Sequence, residues 1–183
     1  MATGDTKLSI CSDSLIMLGA SPLSSFSEGT DAAQICDRLY DDMLVQLLCK
    51  FPWSFTLKKS QLARLADAPA SEWTFAYALP ADLIGSGARA LFTSSTPGSS
   101  PQTDGWEVYA GQIFTDFTEV HIDYQFKPDE SVMPSYFVQL IKYYCCWHFA
   151  EAVTDQITKA QYWQSVAVRS EEHTSELQSP DHL

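Results

Sequence analysis

The residues best equipped for chemistry in this chain of 183 residues are its histidines, its five cysteines and the carboxylates that stand near aromatic rings. His121 falls in an alternating apolar run and His148 in a long helical apolar pattern. Neither has a cysteine, histidine or carboxylate at the spacing of a metal-ligand set, so each reads as a structural histidine. Cys11, Cys36, Cys49, Cys145 and Cys146 include no CxxC pair. Four of them fall on apolar helix faces, where a free thiol packs as a small hydrophobe. Adjacent Cys145 and Cys146 point about 100° apart on a helix and do not read as a disulfide. This usage fits a reducing cytosol. Trp73, Trp106 and Tyr109, with Asp and Glu nearby, offer the alternative chemistry: rings that stack on a sugar beside carboxylates that bind or hydrolyse it. No GxGxxG, GxxxxGK, GxSxG or HExxH pattern occurs. The expectation is a protein that is not an enzyme, with no catalytic residue, cofactor or metal.

The elements that must position these side chains are organised around Met133 to Val153. Phe137, Leu140, Ile141, Tyr144, His148 and Ala152 recur there at helical spacing on one face, and Pro134 suits a first helical turn. Tyr136, Tyr143 and Trp147 form a second apolar flank, leaving Ser135, Gln139 and Lys142 as the polar strip. A helix with two apolar flanks needs two neighbours, which makes the second flank a candidate subunit interface. Upstream, a helix over 6–18 carries Leu8, Cys11, Leu15 and Leu18 on one face and stops at Gly19. A second over 31–49, N-capped by Thr30, carries Cys36, Leu39, Tyr40, Met43, Leu44, Leu47 and Leu48. Asp37, Asp41 and Asp42 face away from that stripe. Phe51-Pro52 ends the helix, and Trp53 is expected to wedge between the helices and a β-rich insertion.

From 53 to 127 the texture is short strands and turns. Trp73, Phe75, Tyr77 and Leu79 alternate; Leu91-Phe92 is a short strand; Trp106 to Tyr109 and Gln112 to Thr115 form a hairpin around Ala110-Gly111. Glu119 to Phe126 is the last strand, with Asp116, Glu119 and Asp123 clustered around it. The loop from Thr93 to Gly105, rich in Ser, Pro and Gly, reads as mobile. A fourth helix covers 154–168. The fold class is α+β: a mainly helical bundle of about four helices with a β-rich insertion between helices 2 and 3, one domain over 1–168.

Composition bounds the partners. A hydrophobic content of 45% and a charged content of 19% describe a globular chain, and a formal net charge of −12 argues against a surface that wraps nucleic acid. No apolar run approaches the ~20 residues of a membrane span and no signal-like segment is present, so no membrane partner is expected.

Arg169 to Ser179 reads RSEEHTSELQS and breaks from the pattern before it, with no apolar period and no aromatic ring. It resembles the translation of a common sequencing-library adapter, which encodes these residues in order. Residues 169–183 are therefore expected to be adapter read-through without packing of its own, leaving 168 residues to reason from.

Three segments together resemble a known family. LLCKFPWSFTLKKSQLARL (Leu47 to Leu65) is a helix end, a Pro-Trp-Ser-Phe turn and a basic strand. YALPADLI (Tyr77 to Ile84) is the second. The third is the hairpin WEVYAGQIFTD, followed by IDYQFKPDESVMPSYFVQLIKYYCCWHFAEAVT. In this order and spacing they are similar to the tail tubular protein A family of short-tailed phages, the head-to-tail connector between portal and tail nozzle. The resemblance implies a structural virion protein of the tail, assembled in the host cytoplasm. It implies a twelve-fold homo-oligomeric ring that contacts portal protein and nozzle protein and passes DNA without binding it specifically. A ring subunit needs two different lateral surfaces, for which Tyr136, Tyr143 and Trp147 are candidates. A channel wall must not hold phosphates, and Asp37, Asp41, Asp42, Asp116, Glu119 and Asp123 are the candidate channel-facing acids. The rival reading is a glycan-binding or glycan-hydrolysing virion protein using Trp73, Trp106 and Tyr109.

Overall fold

A computed structural model describes residues 4–85 and 87–178. It shows four helices and six strands, with the β-rich region between the second and third helices. The chain divides into two compact units, a helical one made of Met1–Phe55 with Pro128–Leu183 and a β unit of Thr56–Lys127. The inserted region thus forms a compact unit of its own.

In the helical unit, α1 (Lys7–Leu18) starts at Thr6, whose side chain accepts from the Ser9 amide while Ser9 returns a bond to the Thr6 amide. Gly19 stops it at φ 81°, a left-handed conformation that costs glycine nothing. Helix α2 (Asp31–Lys50) is capped by Thr30, with Asp31 in its first turn facing the positive end of the helix dipole. Phe51 is already extended, as a residue before proline must be. Helix α3 (Ser135–Thr154) begins two residues later than the expected 133: Pro134 is its N-cap, with ψ 146°, and not in its first turn. Helix α3 packs against α1, α2 and α4. Three neighbours are more than two apolar flanks would require.

That third neighbour corrects the expected face of α3. Phe137, Leu140, Ile141 and Tyr144 are buried as expected, but His148 and Ala152 are exposed. Val138, Cys145, Cys146, Phe149 and Ala150 take the buried places instead. A nearly all-apolar helix can rotate until its smallest side chains meet its neighbours, and the two adjacent cysteines let α1 and α2 come close. Leu39 of α2, expected in the buried stripe, is 37% exposed. Helix α4 spans Ile157–Gln178, starting later than 154 and running well past 168. Residues 169–178 are therefore helical, with Thr174 buried; 179–183 lie outside the described residues.

The β unit holds two antiparallel sheets of three strands each, ordered β1-β6-β3 and β2-β5-β4. The strands are β1 (Leu57–Gln61), β2 (Phe75–Ala78), β3 (Ala90–Phe92), β4 (Trp106–Tyr109), β5 (Gln112–Thr115) and β6 (His121–Gln125). Leu62, Tyr77, Leu91, Ile113, Val120, Ile122 and Tyr124 form its core, with Phe75 and Leu79 packed against them. The hairpin β4–β5 turns through Ala110 and Gly111 at φ 47° and 76°, the paired positive angles that match strand twist. The loop expected to be mobile is tied back at Gln102. Its amide donates to the Leu91 carbonyl at 2.7 Å, and its own carbonyl accepts from Trp106 Nε1 at 3.1 Å. Gly105 ends that loop at φ 82°, where a Cβ would meet the Phe117 ring at 3.2 Å.

Candidate functional site

The three aromatic residues expected at a subunit interface end in different surroundings. Tyr136 is 40% exposed, with its ring edge-on to Phe55. Tyr143 is half-covered by Trp163 of α4, stacked at 5.9 Å. Trp147 is half-buried and stacked on His148 at 4.7 Å. It borders a small pocket of about 90 Å³ with Leu47, Lys50 and Tyr144. Only Tyr136 keeps much of its ring outside. Trp53, singled out for burial, is fully enclosed among Phe51, Phe55 and Phe137, with Nε1 donating to the Leu47 carbonyl at 3.3 Å.

The candidate channel acids are less bare than their sequence suggests. Lys7 donates to Asp37 at 2.7 Å and to Asp41 at 2.9 Å. Although burial opposes it, these bonds hold the Lys7 ammonium above its usual range. Asp42 stands exposed on the same helix. In the β unit, Asp116 accepts from the Thr74 hydroxyl and then from its amide, which holds its carboxyl below the usual range. Glu119 lies 2.8 Å from His121 Nε2, and Asp123 pairs with Lys59 at 3.4 Å. The charge pairings across long sequence separations carry no local signal, so the sequence could not show them.

His121 is buried and its ring nitrogen is occupied by Glu119, as a structural histidine should be. His148 is exposed at its edge beside Lys50, and partial desolvation of its ring together with that neighbouring charge pushes its pKa down. The thiols of Cys11 and Cys36 lie in the core, and their hydrogen bonding and burial push both pKa values up, which makes them poor nucleophiles. Lys50 donates to the Tyr144 hydroxyl at 2.6 Å and to Glu171 at 2.8 Å, and Tyr144 also donates to Glu171. Burial, followed by the Glu171 carboxylate, raises the Tyr144 pKa to about 12. Glu171 belongs to the adapter-like segment, so this trio is no basis for function.

The rings named for a glycan site are partly committed. Trp73 Nε1 and the Tyr109 hydroxyl both donate to Glu107 Oε2, at 3.0 and 2.9 Å. Tyr109 is 57% exposed, and Glu107 followed by the more distant Glu72 raises its pKa. Trp106 packs against the core.

A basic pocket adds a feature that the sequence does not reveal. Lys58, Lys59 and Arg89 line a single open pocket of about 400 Å³ together with Leu57, Ala90 and Asp123. Lys58 and Lys59 were legible as a basic strand, but Arg89 joins them only because β3 pairs with β6 beside β1. Among the described residues no cluster suited to a metal ion occurs, and no helix is long and apolar enough to cross a membrane. No protein-family model and no curated protein matches this chain.

Proposed function

We propose that this chain is a non-catalytic subunit of the head-to-tail adaptor ring of a short-tailed phage. It would sit between portal and tail nozzle in the virion and line the channel through which DNA passes. The observation that carries the reading is the order of parts: two helices, a compact β unit, then two more helices, the arrangement that the sequence resemblance calls for. The resembling segments fall at its joints. The first spans the end of α2, the buried Trp53 and β1; the second spans the end of β2 and the turn after it; the third runs from β4 through α3. The acid excess supports a channel role, because a wall that attracted phosphates would release counterions and hold the duplex. One of the two acid clusters, that of Asp37, Asp41 and Asp42 or that of Asp116, Glu119 and Asp123, would face the DNA.

Negative-stain microscopy of the purified chain, alone and with portal protein, tests the reading. Closed rings of uniform subunit number are expected. Monomers at every concentration, with and without portal protein, would overturn it. The exposed Tyr109 ring beside Glu107 and Glu72 keeps a glycan-binding reading open to trial. Quenching of tryptophan fluorescence by a soluble oligosaccharide, lost in Tyr109→Ala, would favour it.

A further inference from the structure

The basic pocket of the β unit concentrates positive charge in a protein whose net charge is −12. Three of the chain's 11 basic side chains line it. Its walls follow from strand register. Lys59 and Ala90 are both cross-strand partners of Asp123, so the three side chains share one face of the β1-β6-β3 sheet. Leu57, two residues before Lys59 on β1, stands on the same face and is 43% exposed. Arg89 precedes β3, yet its amide donates to the Asp123 carbonyl at 2.8 Å, which fixes where its side chain starts. The pocket so formed has a volume of about 400 Å³, the scale of a small-molecule site, and both apolar and cationic walls.

The charges around it do not balance. Lys58 is answered by Asp82 at 2.9 Å. Lys59 lies over the Phe92 ring at 3.6 Å and stands 3.4 Å from Asp123, longer than the ~2.7–2.9 Å of a well-formed charge-assisted hydrogen bond. Its ammonium therefore keeps N–H donors free. The Arg89 guanidinium has no ion-pair or hydrogen-bond partner among the described residues. Three cations against the carboxylates of Asp82 and Asp123 leave a surplus of one positive charge. Like charges held beside one cavity repel each other, and an anion between them removes that cost.

We propose that this pocket binds a single carboxylate carried on a small apolar body. The Arg89 guanidinium takes the carboxylate through its planar fork, Lys59 adds a second donor, and Leu57 and Ala90 cover the apolar part. The charge count selects the ligand. One surplus positive charge matches a monoanion, whereas a phosphate dianion leaves a negative charge uncompensated beside Asp123. A DNA duplex needs cations along a row of phosphates, and here Asp123 stands among the three that are present. The chemistry is shared by a free aliphatic acid and by the terminal carboxylate of a chain that ends in an apolar residue. The site does not rest on the adaptor reading, because every residue of it belongs to the β unit.

Heteronuclear NMR of the full chain at low salt tests the site, with hexanoate, N-acetyl-leucine, N-acetyl-leucinamide, inorganic phosphate and a short DNA duplex as probes. Saturable shifts at Leu57, Lys59, Arg89, Ala90 and Asp123 are expected with both carboxylates and not with the amide. The tighter of the two identifies the source, hexanoate standing for a free acid and N-acetyl-leucine for a chain terminus. Arg89→Gln, at an exposed side chain without partners, should weaken both about tenfold or more. Asp123→Asn raises the surplus by one charge, so it should tighten both carboxylates and let phosphate compete. If Asp123→Asn shifts resonances throughout the β unit, its fold has changed and Arg89→Gln alone decides. No saturable shift with either carboxylate overturns the proposal, and so does equal binding of the amide. Tighter binding of phosphate or the duplex to the wild type overturns it as well, as does carboxylate binding unchanged in Arg89→Gln.

Discussion

The two units of this protein are stabilised by different means. The helical unit buries long apolar stripes on a central helix, and all five cysteines lie in it, four of them buried. Its helix ends are closed by the Thr6 and Thr30 caps and the left-handed Gly19, and inside it the buried Ser14 hydroxyl donates to the Ile10 carbonyl of its own helix and Tyr144 bonds Lys50 and Glu171. The β unit has a core of seven residues, two of them tyrosines that bring hydroxyls into the interior. Each needs a partner: Tyr77 donates to the Phe117 carbonyl at 2.7 Å and Tyr124 to Asp82 at 3.0 Å. A small core stays specific by fixing such polar groups, and a large one by shape. The helical unit should therefore respond most to lost volume, and the β unit to lost volume and lost partners alike.

The largest effect is expected at Trp53. It is fully buried against three rings, so Trp53→Ala should destabilise the helical unit by about 3–5 kcal/mol. Because every cysteine belongs to that unit, the rate at which buried thiols react with a chromogenic disulfide measures the loss directly. In the native protein only Cys49 is exposed and should react fast. A near-neutral Trp53→Ala, with thiol protection unchanged, would show that the helical unit tolerates the cavity.

Next comes Ile122→Ala in β6, expected to cost about 2–5 kcal/mol. Ile122 is fully buried and sits in the middle strand of its sheet. Hydrogen exchange should accelerate across β1, β3 and β6 while the thiols of the helical unit stay protected. If exchange and thiol exposure rise together, the two units unfold as one cooperative body and the contrast between them is structural only.

The contrast also governs what the sequence makes legible. Helix α2 was legible because its apolar stripe recurs at three-and-four spacing and Thr30 and Pro52 bracket it. Helix α3 was legible as an element but not in orientation. Its sequence is apolar nearly all round, so periodicity could not choose between Phe149 and His148 for the inside. In the β unit the β4–β5 hairpin was visible in its local turn, whereas the pairing of β1 with β6 joins residues far apart in sequence and leaves no local trace. The same holds for the sites. Aromatic residues were visible as residues, but α4 covers Tyr143, and Lys7 takes two of the three candidate channel acids on α2 for reasons found only in the folded chain.

Removing residues 169–183 should matter less than either core substitution. The segment contributes the Lys50–Glu171 ion pair, with side chains 42% and 19% exposed, the Tyr144–Glu171 hydrogen bond and the buried Thr174; a partly exposed pair of this kind is worth roughly 0–1 kcal/mol. The Lys50–Tyr144 hydrogen bond remains after the deletion. A fall in melting temperature of no more than about 2–4 °C is expected. A much larger fall would show that the last turns of α4 are integral to the helical unit, and would count against an origin in adapter read-through.

The smallest effect separates the units by their response to acid. Glu28 accepts from the Ser24 amide, then from the hydroxyls of Ser24 and Thr30, and its carboxyl is held at about 2. A folded-state pKa below the unfolded value near 4.5 means that the carboxylate stabilises the fold at higher pH. That contribution is complete above the unfolded value and disappears as pH falls through the folded one. In the β unit, Lys58 holds the Asp82 carboxyl below its usual range in the same sense. Both units therefore weaken toward low pH, but through different residues. Glu28→Gln should lower thiol protection in the helical unit at neutral pH, with the difference from wild type shrinking below about pH 4.5 and vanishing near pH 2. Hydrogen exchange in β1 and β6 should keep its wild-type pH dependence in that variant. A Glu28→Gln effect that is constant with pH would mean that the side chain acts by shape and not by charge. An effect that spreads to the strands would mean that acid unfolds both units together.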